Sequence, residues 1–244
     1  MNKDKVVLIS GSSSGIGLAI AKKYRQEGYT VCGIDITKLN NDFGMNEYEC
    51  DISDEESVEH VFKDIESRYS KIHYLINCAG IFFAEQRTCI DDISAVEWNR
   101  VIMTNLTGAM LVTKYALPLL KLSAGDRAIL NIASDQVIFP RKKNSAYAAS
   151  KGGLVSFSKA CAVELLEYGI RVNVIEPASV RSNFIQKLVK DTEHMKQIYE
   201  KENEKMPLGL IEAEDVAEFT FFLGSNKAKR ITGQVIMMDS GLYI

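Results

Sequence analysis

The chain has 244 residues, a formal charge of −3 and ordinary globular composition, 46% hydrophobic and 25% charged. A chain of this length buries roughly 70–75% of its unfolded surface, which excludes disorder and a small disulfide-stapled scaffold. The mild acidity, with a pI near 5.7, argues against nucleic acid as the main partner. Five scattered cysteines with no CxxC pair, and only three histidines, offer no metal-ligand pattern and read as reduced thiols of a cytoplasmic protein. The apolar run at Val6–Ile9 is short for a signal peptide, and no run reaches the ~18 apolar residues of a membrane span, so no membrane partner is expected.

In chain order, Val6 to Ser10 is a β-branched strand pattern that runs through a glycine-punctuated turn into a helix carrying Ile16, Ala19, Ile20 and Tyr24 and ending at Gly28. Thr30 to Asp35 and Glu47 to Asp51 read as strands. Ser53 with Glu56 forms a capping-box signature for a helix bearing Val58, Val61, Phe62 and Ile65. Ile72 to Asn77 is strand-like, Ser94 with Glu97 caps a long helix running toward Pro118, and Ala128 to Ile132 is again a strand. Ala146 to Tyr168 is helical and closed by Gly169. Ile170 to Ile175 is a strand, Ala213 to Leu223 a helix and Ile231 to Met238 the last strand. Strands alternating with helices predict an α/β fold: a Rossmann-type doubly wound parallel sheet with helices on both faces, in a single domain spanning residues 1–244. Ligands of such sheets lie at the carboxyl ends of the strands, near the point where strand order reverses.

Two features at those strand ends suit a dinucleotide. Gly11, Gly15 and Gly17 let the backbone turn sharply and approach a pyrophosphate, while the following helix presents free N–H groups and a partial positive charge. Asp35, eighteen residues beyond Gly17, ends the second strand, where a carboxylate accepts hydrogen bonds from ribose hydroxyls and repels a 2′-phosphate. That favours NAD over NADP, with Lys38 the nearest cation that would speak for the phosphate. A third feature is chemical. Tyr147 and Lys151, four residues apart, share one face of a helix, and a neighbouring ammonium together with the positive charge of an oxidised nicotinamide is expected to lower a tyrosine pKa from its usual value near 10. Ser134, in the loop leading into that helix, offers a hydroxyl for a carbonyl or alkoxide oxygen.

Together these residues resemble the compact, single-domain branch of the short-chain dehydrogenase/reductase family from Val6 to Gly241. Gly11 to Gly17, with Ser13, Ser14 and Ile16, resembles its cofactor turn, and Asn77-Cys78-Ala79-Gly80 its Asn-Asn-Ala-Gly segment. Asp51 matches the family's acid near the adenine, with Ile36 and Ile52 beside the two acids. Asn173 to Ser182, including Pro177, Ala178 and Val180, resembles the loop that holds the nicotinamide, and Pro207-Leu208-Gly209, Thr232-Gly233-Gln234 and Asp239-Ser240-Gly241 its closing segments. Cys78, Ala178 and Ser240 depart from the pattern, the last two standing where the family has glycine, and none removes a proton donor.

The resemblance implies hydride transfer to or from a substrate carbon. Tyr147 is then the general acid/base, Ser134 the holder of the substrate oxygen, Lys151 a ligand of the nicotinamide ribose, and Asn105 the holder of a water that continues the proton path. It also implies a homotetramer or homodimer built on the helices around Ala95 to Leu117 and Ala146 to Tyr168 and on the last strand.

Substrate selectivity is assigned to the loops Ile81 to Arg87, Asp135 to Asn144 and a lid at Val180 to Met206. Asp135 and Gln136 suit a hydroxylated substrate, whereas Phe82, Phe83, Phe139 and Phe184 suit an apolar one; Gln136 and Phe184 join Ser134 and Tyr147 as the expected substrate contacts. Arg141-Lys142-Lys143 reads either as a solvated charge run or as a site for an anionic substrate. The leading functional expectation is an NAD-dependent dehydrogenase of a secondary alcohol. Its alternatives are a biosynthetic ketoreductase, such as a reductase of 3-oxoacyl carrier-protein thioesters, and a non-catalytic dinucleotide-binding protein.

Overall fold

The computed structural model describes residues 4–39, 44–82, 88–182 and 192–244, without the side chains of residues 192, 194 and 195. Strands β1 (Val6–Ser10), β2 (Thr30–Asp35), β3 (Asn46–Glu49), β4 (Tyr74–Asn77), β5 (Arg127–Ile132), β6 (Ile170–Pro177) and β9 (Val235–Met238) form one sheet in the order β3-β2-β1-β4-β5-β6-β9. Every pairing is parallel. Two short strands, β7 (Val180–Arg181) and β8 (Ile211–Glu212), pair apart from it.

Both faces of the sheet are covered, so successive residues of a strand enter different cores. Leu8 packs with Val58, Phe62, Leu111 and Cys161 beneath helices α2 (Glu55–Arg68), α4 (Gly108–Leu122) and α5 (Ser145–Glu164). Val7 and Ile9 face the other way, toward Ile20 and Tyr24 of α1 (Gly15–Gln26) and Val216 and Leu223 of α7 (Ala213–Gly224), whereas Tyr199 of α6 (Thr192–Lys205) packs in a separate small cluster with Met206 and Leu210. This double burial explains the unbroken apolar run of β1, where a half-exposed strand would alternate. On that second face Tyr24, Tyr29, Tyr74 and Phe221 form an aromatic cluster. Buried Arg171 ties α7 to it, donating to Asp126 at 3.0 Å and to the carbonyls of Leu223 and Gly224 at 2.8 Å.

Several boundaries differ from the sequence reading. Asp54, not Ser53, caps α2, its carboxylate accepting from the Glu56 amide, because both the amide and the hydroxyl of Ser53 donate to Asp51. Strand β3 covers Asn46–Glu49 rather than residues 47–51. Strand β4 starts at Tyr74, since the Ile72 amide donates to the Leu119 carbonyl, and β9 starts at Val235, after a turn at Gly233 with φ +71°. The Ser94 capping box forms as expected and opens α3 (Ala95–Ile102). The long helix, however, widens into a π-helical turn at Met103–Thr107 before α4, and it passes Pro118 to end at Leu122. Helix α5 stops at Glu164, and a separate 3₁₀ turn, Leu166–Tyr168, leads to left-handed Gly169. The segment read as a lid contains β7 and α6; its residues 183–191, with Phe184, lie outside the described residues, as do Phe83 and Arg87.

Candidate active site

Strand order reverses between β1 and β4, and there the carboxyl ends of β1, β4, β5 and β6 open into a cleft of about 1360 Å³. One end is built by backbone that has no room for side chains. A Cβ on Gly17 would stand 2.0 Å from the Gly11 carbonyl oxygen, and one on Gly11, whose φ is +73°, would stand 2.7 Å from Ala79. Gly11, Ser14, Ile16 and Gly17 line the cleft, and Ser14 begins α1 without a side-chain cap, which leaves the helix amino end to a ligand. Gly15 and Ser13 do not line it. Instead the Ser13 amide donates to Asp35 Oδ2 at 2.9 Å and its hydroxyl to the Thr37 carbonyl, holding the acid at the rim. Thr37 supplies an amide at 3.2 Å to Asp35 Oδ1. Ile36, Asp51 and Ile52 line the same end, whereas exposed Lys38 is not among the lining residues. A helix amino end, a side-chain-free turn and a rim carboxylate together fit a nicotinamide dinucleotide.

The other end gathers the polar set. Ser134, Tyr147 and Lys151 line the cleft floor with Ala79, Gly80, Pro177, Ala178, Val180 and Ser182. Ser134 lies within hydrogen-bonding reach of the Tyr147 hydroxyl and offsets in part the burial that pushes that phenol up to about 12. The expected lowering by Lys151 is not seen. Its Nζ lies 5.9 Å from the Tyr147 ring centre and donates to the Ile132 carbonyl at 2.7 Å, and burial pulls its own pKa down to about 8. Desolvation of both groups therefore outweighs any attraction between them.

Two expected site residues stand behind the cleft. Asn77 donates to Thr113 and to Asn131, bracing α4 and β5. Asn105, fully buried on the π turn, accepts from the Ile81 amide at 2.7 Å and donates to the Ile81 carbonyl and to Ser150. It pins the chain after β4 and the start of α5. Gly80 lets this happen, since a Cβ there would lie 3.3 Å from Asn105 Oδ1 and 3.4 Å from Lys151 Nζ. Of the departures, Ala178 has an ordinary backbone and donates to the Met238 carbonyl, while Ser240 takes a left-handed φ of +51°. Burial raises the Cys78 thiol to about 12, leaving it a weak nucleophile.

Sequence reasoning missed a charged network on the far wall. Arg141 faces the cleft and pairs with Asp135 at 3.3 Å and, more distantly, with Glu202 at 3.8 Å, while Lys142 and Lys143 stay exposed and do not line it. Glu202 and Lys205 come from α6, whose polar sequence carries no chemical motif. Gln136 lines the cleft, with its Oε1 taken by Asn144 at 2.9 Å.

The profile of the family described as enoyl-(acyl carrier protein) reductase matches residues 11–243. A 3-oxoacyl-[acyl-carrier-protein] reductase of Thermotoga maritima is 32% identical over 98% of each chain. An NAD-dependent glycerol dehydrogenase of Listeria innocua is 30% identical over 99% of this chain and 94% of its own. Among solved structures, the aldohexose dehydrogenase of Thermoplasma acidophilum superposes with a TM-score of 0.91 at 30% identity, covering 98% of this chain and 94% of that one.

Lysine buried at pKa about 8, against 10.5 in the unfolded chain, means that the unfolded state binds the extra proton between those values. Stability therefore rises with pH through that window. The ligand-free protein is expected to gain up to about 3 kcal/mol relative to Lys151→Met between pH 7 and 10.5, read from paired denaturant titrations.

Proposed function

Because this chain belongs to the short-chain dehydrogenase/reductase family, we propose that it is an NAD(H)-dependent oxidoreductase that interconverts a secondary alcohol and a ketone in this cleft. The observation that carries the reading is the convergence of Ser134, Tyr147 and Lys151 on one floor, opposite the glycine turn and Asp35. Bound NAD supplies the hydride acceptor, or as NADH the donor, together with a positive charge in its oxidised form.

The residues of the chain do the rest. Ser134 holds the substrate oxygen, and Tyr147 takes the alcohol proton during oxidation or returns it during reduction. Lys151 binds the nicotinamide ribose and adds positive charge beside the phenol, and Asn105, which keeps Ile81 and Ser150 in place, holds a water that continues the proton path beyond Lys151. The substrate fills the space between Tyr147 and Gln136. Asp35, with Ser13 and Thr37 donating to it, accepts from the ribose diol and repels a 2′-phosphate, in keeping with the NAD dependence of the Listeria relative. Ile36, Asp51 and Ile52 flank the adenosine, and Gly15 and Asn77 act through the backbone they hold. Pro177, Ala178, Val180 and Ser182 support the nicotinamide.

Reduction of a 3-oxoacyl carrier-protein thioester is the second reading, favoured by the Thermotoga relative. The pairing of Arg141 with two carboxylates weakens it, since the compensated wall offers no net positive charge to an acidic carrier. Free thiols at Cys32, Cys50, Cys78, Cys89 and Cys161 accord with a cytoplasmic location. Apolar side chains left bare on α3 and α5, with Val96 and Val163 each 78% exposed, suit a homotetramer packed through those helices.

Tyr147→Phe is expected to lower kcat by at least about 100-fold while the NADH dissociation constant, read by fluorescence, stays within about twofold. Retained turnover would reject the tyrosine. NADH should bind at least about tenfold more tightly than NADPH, with Asp35→Ser narrowing the gap. Equilibrium sedimentation at micromolar concentration should give a tetramer; a monomer would reject the interface.

A further inference from the structure

The wall beyond Ser134 carries more charge than hydride transfer requires. Asp135 is only 2% exposed, yet three donors converge on its carboxylate: Ser134 Oγ on Oδ1 at 3.0 Å, and the Tyr243 hydroxyl at 2.8 Å and Arg141 at 3.3 Å on Oδ2. Arg141 also donates to Ser179 Oγ at 3.2 Å, Ser179 donates to Glu202 Oε2 at 2.6 Å, and Lys205 donates to Glu202 Oε1 at 2.8 Å. A continuous polar chain thus runs from Ser134 to α6. Asp135, Gln136, Arg141, Ser179, Glu202 and Lys205 all face the cleft. The wall is braced from behind, where the Tyr243 ring stacks on Phe139 with centres 3.7 Å apart.

Three properties of this wall select a ligand. Its two carboxylates and two cations cancel, so among the described residues it offers no net charge to an anion or a cation. Donors and acceptors alternate along it, which matches the hydroxyl group, a donor and acceptor in one. An apolar substrate would strip water from these groups without replacing the lost hydrogen bonds. The network also begins at Ser134, so the hydroxyls on carbons next to the reacting one are the first to meet it.

We propose that this wall is a substrate subsite that selects a neutral polyhydroxylated alcohol, or the ketose derived from it. The proposal rests on the hydride-transfer reading of the floor and adds what the far wall recognises. Arg141 donates to ligand oxygens, Asp135 and Glu202 accept from ligand hydroxyls, and Tyr243 keeps the Asp135 carboxylate in place.

The test measures NADH formation by the whole protein with xylitol, sorbitol and myo-inositol, against 2-pentanol, 2-hexanol, cyclohexanol and 3-hydroxybutyrate. The reverse direction is followed with NADH on ketoses and on acetoacetyl-CoA. The expected kcat/KM for the polyhydroxylated compounds exceeds that of their deoxy counterparts by at least about tenfold, the worth of one hydrogen bond to a charged group. Glu202→Gln should collapse that ratio toward one through KM, with NADH binding and melting temperature showing that the variant is folded. If it fails to fold, Ser179→Ala, which deletes a single hydroxyl, carries the same test. Highest efficiency on an apolar alcohol, on 3-hydroxybutyrate or on the thioester overturns the subsite and leaves the hydride-transfer reading standing. An unchanged ratio in a folded variant does the same. No turnover above the Tyr147→Phe blank, in either direction and with NADH bound, overturns both.

Discussion

The architecture depends on a backbone contact that tolerates no side chain. The Gly11 carbonyl lies where a Cβ on Gly17 would stand, and Gly11 itself presses against Ala79 at the end of β4. This closeness brings the first turn, the start of α1 and the exit of β4 together at the point where strand order reverses. It leaves α1 with an open amino end and no side-chain cap, which is costly to bury without a ligand and suited to an anion. Ser10 reinforces the junction, its hydroxyl accepting from the amides of Cys78 and Ala79.

On the floor, desolvation is the dominant force. It drives Tyr147 toward its neutral phenol and Lys151 toward its neutral amine, so the protein alone does not hold the ion pair that the four-residue spacing suggests. A cleft that disfavours charge on both groups is sensitive to any charge brought into it. The π turn contributes geometry instead of charge. By widening the helix by one residue it turns Asn105 inward, onto Ile81 and Ser150. Beyond the floor, Asp135 shows how a carboxylate survives burial, with an arginine, a tyrosine and a serine all donating to it.

Much of this was legible beforehand. The alternation of strands and helices, the glycine turn, Asp35 and the four-residue spacing of Tyr147 and Lys151 all depend on local rules of period, turn geometry and helix face, which act over a few residues. Errors arose where a partner outside the pattern decided the outcome, two residues away or across the fold. Ser53 looks like a cap until Asp51 captures both of its donors, and Ile72 looks like strand until Leu119 of α4 takes its amide. Arg141 read as one member of a basic run, yet alone of the three it turns into the cleft, because Asp135 and Glu202 meet there.

The sequence by itself determined the layered α/β fold, the order along the chain of the strands of its main sheet and the glycine turn after β1, because these follow from patterns the chain carries locally. Only the tertiary structure decided that Asn77 and Asn105 brace the site from behind, that burial overrides the lysine beside Tyr147, and that Asp135, Arg141, Ser179, Glu202 and Tyr243 form one wall. Those residues are spread over more than a hundred positions, and their hydrogen bonds and desolvation exist only once the sheet, α6 and the carboxyl-terminal segment are packed together.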